Sequence, residues 1–410
     1  MARVAVVAAA TLALAGGSAS MALAAPATHG ATLDYHRACP VAHKPGVAAC
    51  MALILNGVKQ RTQAEVGGRF APTGDGFGRP QLVKAYDLPS SAKVRNVALV
   101  DAYNDPNAVS DLATYRSAWN LPACNTTTEA GCLTVTNEEG AASPLPTNSG
   151  STGWATEESL DVDMVSAICP HCHIFLVEAN SPEFSDLGTA VNSAVNVLGA
   201  DYVSNSYGGT DSSSDSTYDA DYYNHAGVAV VASAGDDGYL VSYPAASRYV
   251  TAVGGTTLRR DASVARGWKE TVWGSASGGE GTGSGCTTNE AKPTWQTNAG
   301  CSGRTDNDVS SDANPSTGVA IYDTYDQGGW LEVGGTSVSS PTIAAVFALA
   351  GAPAAGTYPS SYPYADPSAL NDVTSGANGS CSPAILCHAE VGYDGPTGLG
   401  TPDGVAAFKS

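Results

Sequence analysis

Three short stretches of the 410-residue chain carry residue types whose spacing could do chemistry. "WATEESLDVDMVSAI" holds Glu157 and Asp161 one helical turn apart, "VGGTSVSSPTIAAVFALAG" holds Ser337, and "VAVVASAGDDG" ends its apolar run in Asp236 and Asp237. On a helix starting near Ala155, Leu160, Met164 and Ile168 form one apolar stripe. Glu157 and Asp161 fall inside that stripe, whereas Glu158 and Asp163 point elsewhere. Two carboxyls in a poorly solvated stripe cannot both ionise cheaply, so they share a proton and could serve as a general base and its orienting partner. A solvated acidic face would lie opposite the stripe instead. Ser337 follows the Gly334-Gly335 turn and opens an apolar helix, with Pro341 expected in its first turn. It reads either as an N-cap or as a nucleophile favoured by the helix dipole. Asp236 reads either as part of an Asp-Gly turn or as a site residue at the carboxyl end of a buried strand.

These residues need a frame. From Val97 onward short apolar runs alternate with helical segments: "VALVD" then "SDLATYRSAW", "HIFLVEA" then "DLGTAVNSAVNVLG", "YVSNSYGG", "VAVVASAGDDG" and "VTAVGG". That order predicts an α/β fold, a doubly wound parallel sheet with helices on both faces. Gly274 to Gly285 and the polar sequence on to Asn314 are expected as long surface loops.

Residues 1–24 show one positive charge, an apolar run and an Ala22-Leu23-Ala24 end, the pattern of a secretory signal peptide. Gly16, Gly17 and Ser18 break the run, which argues against a membrane span. Residues 25–80 read as a short N-terminal segment and linker, and 81–410 as one large domain. The balance of 39 acidic against 19 basic residues, net −20, argues against binding nucleic acid or anionic lipid and suits solubility in an acidic medium. The ten cysteines fall in close sequential pairs, which in an exported chain favours disulfides while leaving connectivity open. "CPHCH", taken alone, also fits a haem attachment, a dithiol oxidoreductase or a zinc site.

Taken together and in order, Glu-x-x-Leu-Asp at Glu157 to Asp161, Ser-x-Gly-Asp-x-Gly at Ser233 to Gly238 and Gly-Thr-Ser-x-x-x-Pro at Gly335 to Pro341 resemble the sedolisins, serine-carboxyl peptidases of kumamolisin type on a subtilisin-like fold. The resemblance runs from about Gly78 to the C-terminus. It implies a secreted, acid-active endopeptidase with Ser337 as nucleophile, Glu157 as general base, Asp161 orienting Glu157, and Asp236 in the oxyanion hole. Asp101 matches a third carboxylate linked to the pair, and Ser206 and Gly208 in "SNSYGG" match an edge that pairs with extended substrate. "LNDVTSGANG" and "AEVGYDGPTGLGTPDG" resemble one structural calcium site, with carboxylates from Asp372 and Asp394 and carbonyls from Val373, Glu390 and Gly392.

Peptide or protein substrates and a monomer follow from the same likeness. An oxyanion needs a donor, and Asp236 donates only when protonated, so the mechanism requires acid. The histidine base of a true subtilisin has no counterpart, since His171, His173 and His225 lack its context. Relatives usually carry a long folded prodomain, whereas only the stretch 25–80 stands before the main domain here. In this setting Cys169 and Cys172 read as a short-loop disulfide. The rival from another class is a catalytically inactive peptidase fold used as a surface or binding protein; its expected sign is loss of a catalytic residue, and none is lost.

Overall fold

Alternation along one strand sets the layers. In Asn96–Ala102, Val97 and Leu99 enter one apolar cluster while Ala98 and Val100 enter another, because successive side chains of a strand point to opposite faces. A strand apolar on both faces must be covered on both. Helices Ala108–Ala118, Trp154–Ile168 and Thr336–Ala350 pack into the first cluster and Phe184–Asn196 into the second. The structure, a computed structural model, describes residues 1–2, 34–42, 44–57, 76–91, 93–297 and 300–410. The expected leader, 1–24, lies outside the described residues except for its first two.

Asn96–Ala102 runs parallel to His173–Ala179 on one side and to Tyr202–Asn205 on the other. Leu133–Asn137 extends the first side; Ala229–Ser233 and then Thr251–Arg260 extend the second. Val309–Asp312 joins Thr251–Arg260 in parallel, and Trp268–Val272 closes that edge antiparallel. The doubly wound sheet read from the sequence is therefore present, with one antiparallel edge strand added. The chain changes sides at Asn96–Ala102, and such a switch point opens a crevice at the carboxyl ends of the strands. Asp101, Ser206 and Asp236 stand at those ends.

Three details differ from expectation. Helix Trp154–Ile168 has no solvated face: Glu158 and Asp163 are 0% and 1% exposed. Neighbouring elements close over the side the stripe left open, and the two carboxyls accept hydrogen bonds from the Asp105 amide at 3.0 Å and the Tyr322 amide at 2.9 Å. Nor is the polar sequence before Asn314 all surface loop, since Gly303–Asp306 and Val309–Asp312 are buried strands. There Arg304 forks onto Asp308 at 2.7 and 2.6 Å, so the polarity pairs internally instead of facing water. Pro341 lies inside helix Thr336–Ala350, beyond its first turn. Having no N–H, it leaves the Ser337 carbonyl without its helical donor.

All five disulfides join the sequential pairs: Cys39–Cys50, Cys124–Cys132, Cys169–Cys172, Cys286–Cys301 and Cys381–Cys387. "CPHCH" is thus a stapled turn after the carboxyl-bearing helix, with no thiol left for haem, zinc or redox chemistry. The described part of 25–80 packs into the main unit. Tyr35–Arg37 pairs with Leu53–Leu55, which pairs with Gly329–Gly334, and Ala49–Cys50 pairs with Tyr207–Thr210. No helix among the described residues is long and apolar enough to cross a membrane.

Removing one partner of a buried ion pair strands the other charge. Arg304→Ala should therefore destabilise the fold by about 3–5 kcal/mol, read as a shift in the urea midpoint at unchanged m-value.

Candidate active site

Glycine opens the helix that carries Ser337. Gly335, its N-cap, has φ 94°, a conformation open mainly to glycine. A Cβ there would strike the Met51 carbonyl and come within 2.8 Å of Asp236 Oδ2, so side-chain-free backbone is also what the space demands. Ser337, second in the helix, is fully buried. Its hydroxyl donates to the Ser206 carbonyl at 3.2 Å and accepts the Met51 amide at 3.1 Å.

Thr336 fixes Asp236. Its amide and hydroxyl both donate to Asp236 Oδ1 at 2.8 Å, leaving Oδ2 buried and without a partner. Burial pushes the Asp236 carboxyl up to about 7, with the charge of Asp237 adding and the Thr336 hydrogen bonds and Arg37 pulling down.

Glu157 is completely buried, and neither carboxyl oxygen has a hydrogen-bond partner. Burial and then Asp101 push its pKa well above the ordinary carboxylate range, while the Ser337 hydroxyl and the Ala52 amide, both close by, pull it down. Asp161 Oδ1 accepts the Ser206 hydroxyl at 2.6 Å. Burial, Asp101 and Glu157 push Asp161 up as well. Asp101 has no hydrogen-bond partner on either oxygen and is pushed up to about 8 by burial.

The structure thus brings Ser337, Glu157, Asp161, Asp101, Asp236 and Ser206 into one buried cluster. Gly208 lies on the adjoining strand edge, opposite Ala49. Three features escaped the sequence reading: the Thr336 clamp, the Ser206 hydroxyl on Asp161, and an extension of the carboxyl cluster through Glu158 to Glu178, which is raised to about 9. Glu178 faces Asp101 in strand register. Its one signal was a charge inside the otherwise apolar run "HIFLVEA".

Chemically, a hydroxyl stands between carboxyls that can take a proton and a carboxyl that can donate a hydrogen bond. That is the equipment for addition to a carbonyl and its collapse. Farther off, Asp372 Oδ2 accepts the Gly392 amide at 2.9 Å and Asp394 Oδ2 the Glu390 amide at 3.1 Å. Burial raises Asp394 to about 7, and Asp372 adds to it. Among the described residues no three His, Cys, Asp or Glu side chains cluster as a metal group.

The model of the subtilase family matches residues 127–361. Kumamolisin of Bacillus sp. (strain MN-32) is 33% identical over 284 residues, 62% of this chain and 50% of that protein. Sedolisin of Pseudomonas sp. (strain 101) is 30% identical over 370 residues, 81% of this chain and 61% of that protein. The chain belongs to the subtilase family, in its sedolisin branch. It spans half to three-fifths of the length of these curated relatives. A solved Pseudomonas sedolisin, a serine-carboxyl proteinase complexed with pseudo-iodotyrostatin, superposes with TM-score 0.65 at 25% identity, covering 81% of this sedolisin-family chain and 96% of its own.

Burial of so many acids sets a stability trend. Asp101, Asp105, Asp236 and Asp306 hold protons in the folded chain up to about 7 or 8, whereas in the unfolded chain they ionise near 3.8. The folded state binds more protons through that window, so stability is full below about pH 4 and is lost as pH rises through 7–8. Melting temperature measured from pH 4 to pH 8 should fall steadily; a maximum at pH 8 would contradict the protonated interior.

Proposed function

We propose that the chain is a secreted, acid-active serine-carboxyl endopeptidase acting through an acyl-enzyme on Ser337. The observation that carries this reading is the buried, unpartnered Asp236 Oδ2 beside the Gly335 turn that presents Ser337. A nucleophile next to an orphaned carboxyl that needs a proton to donate is an arrangement a purely structural core would avoid.

In this reading the carboxyl group of Glu157, Asp161 and Asp101 carries one negative charge, the first ionisation being the least opposed by repulsion. Glu157 takes the Ser337 proton as Oγ adds to the substrate carbonyl, and the Ser206 hydroxyl holds Asp161 so that it can orient Glu157. The oxyanion forms toward protonated Asp236. Collapse expels the amine with the proton from Glu157, and water repeats the sequence on the ester. Ser206 and Gly208 supply backbone to an extended peptide, which adds as a strand. Residues 81–410 act as the peptidase domain behind a 1–24 leader and the 25–80 segment.

A calcium ion held by Asp372, Asp394 and the carbonyls of Val373, Glu390 and Gly392 fits the donor set. All donors are oxygen, and a cation would offset the burial, and after it the Asp372 charge, that raise Asp394. None of the three carbonyls accepts a loop backbone hydrogen bond among the described residues. When bound, calcium would supply a structural crosslink between two loops and no catalytic step.

Ser337→Ala should remove hydrolysis of a peptide library at acidic pH by about a thousandfold or more without changing the melting temperature. Asp236→Asn keeps a donor that needs no proton. Its rate falls by a hundredfold or so if the amide is misaligned, but the alkaline limb, which in wild type declines as pH passes about 7, should move upward. Identical limbs in the two proteins would exclude Asp236 as the titrating donor. Added calcium should raise the melting temperature relative to chelator, and equal values would remove the Asp372/Asp394 site.

A further inference from the structure

Glu158 takes no part in the steps above, yet it lies among the carboxyls that do. It is fully buried. In Asn96–Ala102, Val97 and Leu99 enter the apolar cluster shared with helix Trp154–Ile168, so Asp101, two positions further on, points to the same side. In His173–Ala179 the same parity carries Ile174, Leu176 and then Glu178 there. Asp101 and Glu178 stand opposite each other in register on neighbouring strands. The helix packs over both strands and brings Glu158 to this pair, one residue after Glu157 and three before Asp161.

The two oxygens of Glu158 have different surroundings. Oε2 accepts the Asp105 amide at 3.0 Å, whereas Oε1 is buried and has no partner. The charges acting most on this carboxyl are Glu178, Asp101 and Asp105, all acids, and Glu157 and Asp161 flank it on its own helix. Glu178 in turn faces Asp105 and Asp101. No cation is among the charges acting most on Glu158, Glu178 or Asp101. An ionised carboxylate only accepts, so an ionised Glu158 would hold Oε1 against other acceptors in a fully buried place. A hydrogen on Oε1 makes the same atom a donor, and Asp101 is the neighbour with two unpartnered acceptor oxygens. Burial, which raises Glu158 well above the ordinary carboxylate range, acts in the same sense.

We propose that Glu158 is a positioning residue for the peptidase reaction, keeping its hydrogen on Oε1 throughout the working range and donating it to Asp101. The proposal rests on the peptidase reading above. A hydrogen bond to Asp101 favours the singly ionised form of the trio Glu157, Asp161 and Asp101 over the fully protonated one. The trio therefore reaches its one negative charge, and Glu157 its capacity as base, at lower pH than three buried carboxyls would by themselves. The Asp105 amide occupies Oε2 and so fixes which oxygen carries the hydrogen. The donor is aimed before substrate arrives.

The test compares Glu158→Gln and Glu158→Met with wild type in pH profiles of kcat and KM, using one peptide that wild type cleaves. Gln can accept the Asp105 amide through its oxygen and donate to Asp101 through its nitrogen; Met, of similar length, does neither. Glu158→Gln should keep the wild-type acid limb. In Glu158→Met that limb should move up by about one pH unit, a tenfold loss of kcat on the limb. KM should stay, since Glu158 does not touch substrate, and so should the alkaline limb, which belongs to Asp236. If the Met variant does not fold, Glu158→Asp is read in its place; it draws the carboxyl back by one methylene and should move the acid limb in the same direction. Infrared spectra at about pH 6, where exposed carboxyls are ionised, should show a protonated-carboxyl band in wild type that loses intensity in Glu158→Gln.

An acid limb that stays put without the donor, or that moves in Glu158→Gln as far as in Glu158→Met, would overturn the proposal. So would a limb displaced to lower pH, the sign of an ionised and repelling Glu158, or an infrared band that Glu158→Gln leaves unchanged. Absence of Ser337-dependent hydrolysis by wild type would overturn the peptidase reading instead, and the infrared band would still decide whether Glu158 keeps its hydrogen.

Discussion

Taking an ionised carboxylate out of water costs several kcal/mol unless a cation or enough donors replace the solvent. Helix Trp154–Ile168 takes Glu157, Glu158, Asp161 and Asp163 inside, and Asp101 and Glu178 meet them from the sheet. Of these only Asp163 feels a cation, Arg116, among its strongest influences; the charges acting most on Glu157 and Asp161 are other carboxylates. The cluster can exist only with protons on most of its members. One constraint thus fixes both the pH at which the fold is most stable and the pH at which Asp236 can donate. A chain with 39 acidic against 19 basic residues agrees with the same medium.

A second constraint is space at Gly335. The helix start, the Asp236 carboxyl and the Met51 backbone converge where even a methyl group would not fit. The Tyr207–Thr210 edge holds that backbone beside the Ser337 hydroxyl by pairing with Ala49–Cys50, and the Ser206 carbonyl takes the Met51 amide. The space at Gly335 is shaped for main chain alone. The disulfide and the short hairpin reduce the entropy lost in ordering the segment that fills it.

Much of this was legible before any coordinates. The double-faced apolar runs identify parallel strands because a strand buried on both sides cannot tolerate alternation, and Glu157 and Asp161 stand out because they interrupt a stripe that should be apolar. The reading stopped where it assumed one buried face per helix: Glu158 and Asp163 are inside because elements remote in sequence close over them. It stopped again at Arg304 and Asp308, whose polarity looks solvated until the partner four residues on is seen to face it. The pairing of Ala49 with Gly208 could not be read at all, because a two-residue strand leaves no periodicity and its partner is a distant part of the chain. Thr336 and Ser206 were in view as motif letters, but a hydroxyl's hydrogen bond depends on rotamer and neighbour, which spacing does not encode.

Arg37 links the groove segment to the chemistry. It pairs with Asp237 at 2.7 Å, but with one partner well exposed the pair contributes little to holding the segment, which depends on strand pairing and the disulfide. Its larger effect is electrostatic, because it lowers the pKa of Asp236 against the burial that raises it. Burial and Arg37 therefore act on Asp236 in opposite directions, and burial prevails, since the carboxyl stays raised to about 7.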